Sequence, residues 1–269
     1  MNKIKKKDKL NYYKFLESLP KKINRLYFKK LKGKFKLKNK SKKRNGFDPV
    51  TNIDKALEFF LRREISKKFP NDGIIGEEFK IKKSKNGFTW VLDPIDGTRS
   101  FIIDSPTWSN LISISYKNIP TFGLVNFPML KKYYITGIDK KSYLVENNKT
   151  KILKVSKLIS LQQSKIAGNF FGWLSLQDQK KILKLTKLMR YPCPDALSYC
   201  QLCDGKLDAV LQCSNKIWDV HPMISLIKNA GGCISTWQGK DPKNGGNILA
   251  SSNLKTHNKI LKLLKPILK

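Results

Sequence analysis

The run Trp90-Val91-Leu92-Asp93-Pro94-Ile95-Asp96-Gly97-Thr98-Arg99-Ser100-Phe101 sets the tightest limits on this chain. Three apolar residues lead straight into two carboxylates three positions apart. An apolar strand has no structural need of two acids at its end, because a buried charge is costly unless it is paired. Hard divalent cations such as Mg²⁺ bind carboxylate and phosphate oxygens. Pro94 forces a sharp exit from the strand, which lets Asp93, the Ile95 carbonyl and Asp96 face one point. Gly97-Thr98 then opens a helix, and free N–H groups at a helix start suit a phosphate. The run therefore points to a metal site at the end of a buried strand, and to phosphate chemistry.

Composition narrows the surroundings of such a site. A chain of 269 residues suffices for one large domain or two fused lobes. No twenty-residue apolar run occurs, so no membrane-spanning helix is expected. The basic start, Met1 to Lys9, precedes no apolar signal segment, so a cytoplasmic location is expected. Cys193, Cys200, Cys203, Cys213 and Cys233 are odd in number and irregular in spacing, which fits reduced thiols better than a disulfide framework. Cys200-x-x-Cys203 lacks the second ligand pair a zinc site would need.

The formal net charge of +34 invites a nucleic-acid reading. Yet only six of the 54 basic residues are Arg, the residue whose fork matches bases and phosphates. Lys spread over nearly every segment reads as compositional drift, and no specific nucleic-acid partner is expected. Residues 1–45 nonetheless hold 19 Lys and Arg against Asp8 and Glu17. Such a tail adheres to polyanions at low salt. A basic polyanion-binding protein is the non-enzymatic alternative.

Hydrophobic periodicity supplies the elements. Residues 8–31 read as a helix broken near Pro20, and Lys32–Lys40 as an exposed edge strand or arm, followed by loop to Gly46. Thr51 caps a helix whose apolar face is Ile53, Ala56, Leu57, Phe60, Leu61, Ile65 and Phe69. Ile74-Ile75 and Phe88–Leu92 read as strands, then Asn110–Tyr116, Phe122–Phe127, Tyr133–Gly137 and Ser142–Val145. Helices are expected at Ser175–Met189 and Pro194–Cys203, a strand at Leu207–Leu211, and a helix from Trp218-Asp219 to Gly231-Gly232. Strands Cys233–Thr236 and Ile248–Ala250 and a helix from Asn253 close the chain. The order is α/β without a regular βαβ rhythm, which favours a layered sandwich of mixed sheets over a doubly wound fold.

Acids end other elements too: Asp54 after Thr51, Glu77 in Gly-Glu-Glu, and Asp219 after Trp218. Each alone has a plain reading. Asp54 completes a capping box, Asp219 offsets a helix dipole, and Glu77 sits at the surface. Together, "DPVTNID", "GIIGEEF", "WVLDPIDGTRSF" and "WDVHPMISLIKNAGG", in this order, resemble the inositol monophosphatase-like family of Mg²⁺-dependent phosphatases from about Asp48 onward. "GIIGEEF" and "DGTRSF" look closest to its histidinol-phosphatase branch. The resemblance implies a layered α-β-α-β-α sandwich of mixed sheets. Residues 1–47 are expected to form a basic N-terminal helix and arm, packed on or flanking a catalytic domain over 48–269 with lobes near 48–150 and 151–269, and the resemblance implies a homodimer.

Carried over, the family pattern makes Glu77, Asp93, the Ile95 carbonyl, Asp96 and Asp219 ligands for two or three Mg²⁺ ions. Asp93 would bridge two of them. Glu77 and the Thr98 hydroxyl would orient a water, and Asp54 would hydrogen-bond Thr98 or support a third ion. Gly97 and Thr98 N–H groups would seat the phosphate. Asp195 would meet a cationic amino alcohol, although an N-cap after Pro194 is an equal reading of it. Gln212 would also line the substrate, and it departs from the pattern, which usually has Glu there. His221 replaces a small residue and reads as packing. The activity implied is hydrolysis of a small phosphate ester, L-histidinol phosphate in histidine biosynthesis first, with myo-inositol phosphate or a 3′-phosphonucleotide as alternatives.

Overall fold

The computed structural model describes residues 4–41, 49–170 and 173–268. The loop expected up to Gly46 and the division expected at residues 47 and 48 fall largely in 42–48, outside the described residues.

Helix α1 (Lys6–Leu26) runs unbroken through Pro20. A proline inside a helix costs about 3 kcal/mol or more. Leu16, Leu19 and Ile23 of this helix are fully buried, and each such side chain contributes about 1.5–3 kcal/mol. Packing therefore overrides the expected break. The helix ends in a wider turn, Tyr27–Leu31, where the Lys32 N–H reaches back to the Tyr27 carbonyl at 2.9 Å. A short ribbon follows, β1 (Leu37–Asn39) antiparallel to β2 (Pro49–Thr51).

Thr51 then caps α2 (Asn52–Lys68), its hydroxyl accepting the Ile53 N–H at 3.2 Å. Strand β3 (Gly73–Gly76) lies parallel to β4 (Phe88–Asp96). After the short helix α3 (Thr98–Ile102), an antiparallel meander completes a seven-stranded sheet in the order β3 to β9. Its members are β5 (Ser109–Tyr116), β6 (Ile119–Phe127), β7 (Lys132–Thr136), β8 (Ser142–Glu146) and β9 (Lys149–Ile152).

The second sheet has five strands in the order β11-β10-β12-β14-β13. It is built from β10 (Ile166–Asn169), β11 (Met189–Tyr191), β12 (Ala209–Asn215), β13 (Cys233–Thr236) and β14 (Gly246–Ser251). The helix expected over 175–189 is instead two short pieces, α4 (Leu176–Lys181) and α5 (Leu183–Thr186), with Met189 in β11. Ile182 between them and Leu185 are buried in the core, so the chain turns to bury both. Three further helices, α6 (Asp195–Cys203), α7 (Ile217–Asn229) and α8 (Leu254–Leu264), complete the chain.

Three cores arise because side chains alternate across each strand. On β5, Ile112 and Ile114 face α1 and α2, with Trp90 and Leu92 of β4 beside them. Leu111 of β5 and Val125 of β6 face the other way, against α6 and α7. The small sheet closes this middle core with Val210, Ile248 and Ala250, while Leu211 and Leu249 face Leu185 of α5 and Ile260 and Leu264 of α8. The order is helix, sheet, helix, sheet, helix, as the family resemblance implies.

The N-terminal helix is tied into the first core by a buried acid. Asp72 accepts the Tyr12 hydroxyl at 3.0 Å, the Trp90 indole N–H at 2.8 Å and the Asn86 amide at 2.7 Å. The five cysteines are free thiols, and Cys200 and Cys203 pack in the middle core.

Candidate active site

Strand β4 carries the centre of the site. Its pairing with β5 slips between Asp93, opposite Leu111, and Asp96, opposite Ser109. One extra residue on β4 makes a bulge, which bends the strand and turns side chains off the regular alternation. Pro94 has no N–H to give the ladder. Its carbonyl is taken instead by the Asn110 side-chain amide at 2.6 Å. Gly97 follows with φ of 76°, a left-handed conformation that suits glycine.

The bulge brings Asp93 and Asp96 to the N-terminus of α7, where Asp219 sits in the first turn. One carboxylate oxygen from each of the three lies within 4.8 Å of the others. If ionised, two such charges repel by about 3 kcal/mol at an effective dielectric constant of about 20. Asp93 is 3 % exposed. Burial, then the charges of Glu77, Asp96 and Asp219, hold it well above the usual carboxylate range. Asp96 is raised likewise, by burial and then by Asp195 and Asp219. Burial lifts Asp219 to about 6, against a hydrogen bond from the Lys216 N–H at 2.6 Å. The cluster is thus an all-oxygen donor set that either takes up protons or holds a cation. That chemistry fits a hard divalent ion.

Glu77 follows β3, which runs parallel beside β4. Burial raises it to about 7, with the Lys40 ammonium opposing and Glu78 and Asp219 adding. Lys40 donates to Glu77 at 3.2 Å and also to Glu78. Nothing in the sequence distinguishes Lys40 from its many neighbours of the same type.

Asp54 is 1 % exposed and completes the capping box: its carboxylate accepts the Thr51 N–H at 2.8 Å and the Thr51 hydroxyl. Burial takes it to about 6. The Thr98 hydroxyl donates to the Ile95 carbonyl at 3.1 Å. The two side chains are engaged with these partners, and Asp54 bears on the site as a charge that helps raise Asp93.

Asp195 stands over the Gly97 turn. A Cβ on Gly97 would lie 2.7 Å from its carboxylate, and the Ser100 hydroxyl is 3.4 Å away. Its φ of 36° is unusual for a non-glycine residue. Burial pushes the Asp195 carboxyl above the usual carboxylate range, with Ser100 and the Arg99 charge opposing. The neighbouring Ala196 N–H donates to Asp96 at 3.0 Å, and the Ser109 hydroxyl to the same oxygen at 3.3 Å. Gln212 donates to the Asp195 carbonyl at 3.0 Å and lies 3.6 Å from the Cys193 sulfur. Its amide thus supports the backbone of the acid. His221 bridges Ser115 at 3.1 Å and the Lys243 carbonyl at 2.7 Å, away from the carboxylates. Burial pushes its pKa below the usual histidine value, with the Lys243 carbonyl and Asp241 opposing.

Acids gathered at a strand bulge in a layered α/β fold make a site suited to a hard cation and a phosphate ester. Residues 8–269 match the inositol monophosphatase family, and the chain belongs to it. It is 28 % identical to a histidinol-phosphatase of Mycobacterium tuberculosis over 219 residues, 79 % of this chain and 83 % of that protein. It is 28 % identical to a fructose-1,6-bisphosphatase/inositol-1-monophosphatase of Aquifex aeolicus over 227 residues, 81 % of this chain and 82 % of that one. The fold is similar to an inositol monophosphatase from Zymomonas mobilis, with a TM-score of 0.76 and 23 % identity over 98 % of this chain and all of that one. No helix among the described residues is long and apolar enough to cross a membrane.

Proposed function

We propose that this chain is a Mg²⁺-dependent phosphomonoesterase whose leading substrate is L-histidinol phosphate, cleaved to L-histidinol and phosphate in histidine biosynthesis. The observation that carries the reaction class is the convergence of Asp93, Asp96 and Asp219. When bound there, divalent ions neutralise a phosphate dianion, lower the pKa of water and stabilise both in-line oxygens. Glu77, Asp93 and the Ile95 carbonyl would hold one ion, and Asp93, Asp96 and Asp219 a second. The Thr98 hydroxyl and Glu77 would orient the attacking water. Gly97 and Thr98 would present backbone N–H groups to the phosphate.

Asp195 supports the choice of alcohol. It places a carboxylate beside the phosphate turn, where a cationic amine on the leaving group would meet it. A hydrogen bond to a charged group contributes about 1.5–3 kcal/mol. Gln212, neutral where a second acid would add charge, leaves Asp195 as the anionic partner and holds its carbonyl. The histidinol-phosphatase of M. tuberculosis, by its name, acts on this substrate. The test is phosphate release from histidinol phosphate, inositol 1-phosphate and 3′-phosphoadenosine 5′-phosphate, with and without Mg²⁺. Histidinol phosphate should turn over fastest and only with the ion. Faster release from inositol phosphate would overturn the substrate, and equal release in a chelator would overturn the metal.

A further inference from the structure

One buried charge near the site remains without a role. Glu58 lies one helical turn beyond Asp54 on α2 and is fully buried. Its Oε2 accepts the Glu78 N–H at 2.8 Å, and its Oε1 accepts the Arg62 Nε–H at 2.7 Å. Arg62 donates through Nη2 to the Phe79 carbonyl at 3.1 Å and lies over the Phe79 ring, 5.7 Å from its centroid. On the near side, the carboxylate presses on Gly76, where a Cβ would fall 2.2 Å from Oε1. The ion pair thus holds the main chain at Glu78 and Phe79, and its carboxylate fills the space a side chain at Gly76 would need. Glu77 lies between Gly76 and Glu78.

The grip is costly to build, which argues that it is not incidental. A buried ion pair gains little over apolar residues of the same volume. Here the carboxylate is fully buried and accepts the Glu78 N–H as well as the Arg62 Nε–H. What it provides is direction. Glu77 directly follows the short strand β3, and the two arms of the pair supply an acceptor for the Glu78 N–H and a donor to the Phe79 carbonyl just beyond it.

We propose that Glu58 and Arg62 are positioning residues for Glu77, and that they set the affinity of the site for its divalent ion without touching ion or substrate. This rests on the reading of Glu77 as a metal ligand. Supporting groups of ligands elsewhere change metal affinity by about 10–100-fold when removed.

The experiment is Mn²⁺ binding to the whole protein, by calorimetry and by electron paramagnetic resonance, with Tm measured alongside. The variants are Glu58→Gln, Arg62→Lys, Glu77→Gln and the double variant Glu58→Gln/Glu77→Gln. Glu58→Gln should weaken Mn²⁺ about tenfold at a temperature where the protein is folded. The double variant should bind no more weakly than Glu77→Gln alone, because both changes act through one ligand. Arg62→Lys, at a partly exposed position, keeps the charge and loses the fork. It should weaken binding as well, and it carries the test if Glu58→Gln does not fold. Wild-type Mn²⁺ affinity in folded Glu58→Gln or Arg62→Lys, with a lowered Tm, would overturn the proposal and leave a purely structural pair. Unchanged affinity in Glu77→Gln would overturn the reading of Glu77 itself, a separate and distinguishable failure.

Discussion

The backbone N–H of Ala196 donates to the carboxylate of Asp96 at 3.0 Å, across one hundred residues of sequence. The same Asp96 is one corner of the carboxylate cluster. The segment that carries Asp195 is therefore docked directly on a candidate metal ligand. If Asp195 meets the alcohol and Asp96 holds the ion, as proposed, selectivity and metal binding share this one hydrogen bond.

Asp195→Ala should raise KM for histidinol phosphate about tenfold or more, the equivalent of one charge-assisted hydrogen bond. KM for a neutral ester such as inositol 1-phosphate should change by less than about threefold. Steady-state kinetics on both substrates check this. An equal loss on both would make Asp195 a structural residue of the Gly97 turn.

Asp93→Asn should reduce turnover by more than about 100-fold, beyond the effect of a merely supporting residue. It should also stabilise the protein in chelator, since it removes a carboxyl whose ionised form is disfavoured by burial and by the charges of Glu77, Asp96 and Asp219. The gain in Tm is roughly 2–4 °C for each kcal/mol of repulsion relieved. Calorimetric melting in chelator checks it, and a lower Tm than wild type would contradict the electrostatic picture.

Stability without divalent ions should fall as pH rises. Asp54 and Asp219 are pushed to about 6 and Glu77 to about 7, against about 4 in an unfolded chain. A folded pKa above the unfolded one means that the folded state binds more protons between the two values. The stability from these groups is present below about pH 4 and is lost as pH climbs through 6 to 7. Mg²⁺ offsets the charge that replaces those protons, so the rise in Tm on adding Mg²⁺ should be larger at about pH 8 than at about pH 5. A rise that shrinks with pH would sink this account.

Tyr12→Phe should lower stability by about 1.5–3 kcal/mol, the range for a hydrogen bond to a charged partner, because it strips one donor from the buried Asp72. Denaturant melts check the loss, and kcat should stay within about twofold of wild type. Loss of activity without loss of stability would place α1 in the catalytic machinery instead of the core.

Much of this architecture is readable from the residues. Alternation in Leu111-Ile112 and the helical spacing of Ile53, Leu57, Leu61 and Ile65 report burial locally, and all of these side chains are buried. The acids at the ends of β3 and β4 and the start of α7 are visible because charge at an apolar boundary is conspicuous. Other features leave no local trace. Strand β9 is exposed at every residue, so no alternation marks it. The split of α4 from α5 follows from which face Ile182 and Leu185 must bury. Lys40 carries its contact through its place in the fold, and the Ala196 contact uses a backbone group that every residue but proline has. The Glu58–Arg62 pair has a visible spacing of four, but that spacing on a helix is common at any surface.

Read residue by residue, the chain offers an α/β order without a βαβ rhythm and two acids after an apolar strand that point to a hard cation, while the layers and the reaction class come with the family resemblance. Only the tertiary structure decided how the acids are held: by a bulge opposite Leu111 and Ser109, by a helix start more than one hundred residues away, and by an ion pair beneath Glu77. The reason is physical. Periodicity records whether a side chain is buried, whereas long-range hydrogen bonds depend on which surfaces come together, and the chain acquires those only when it folds.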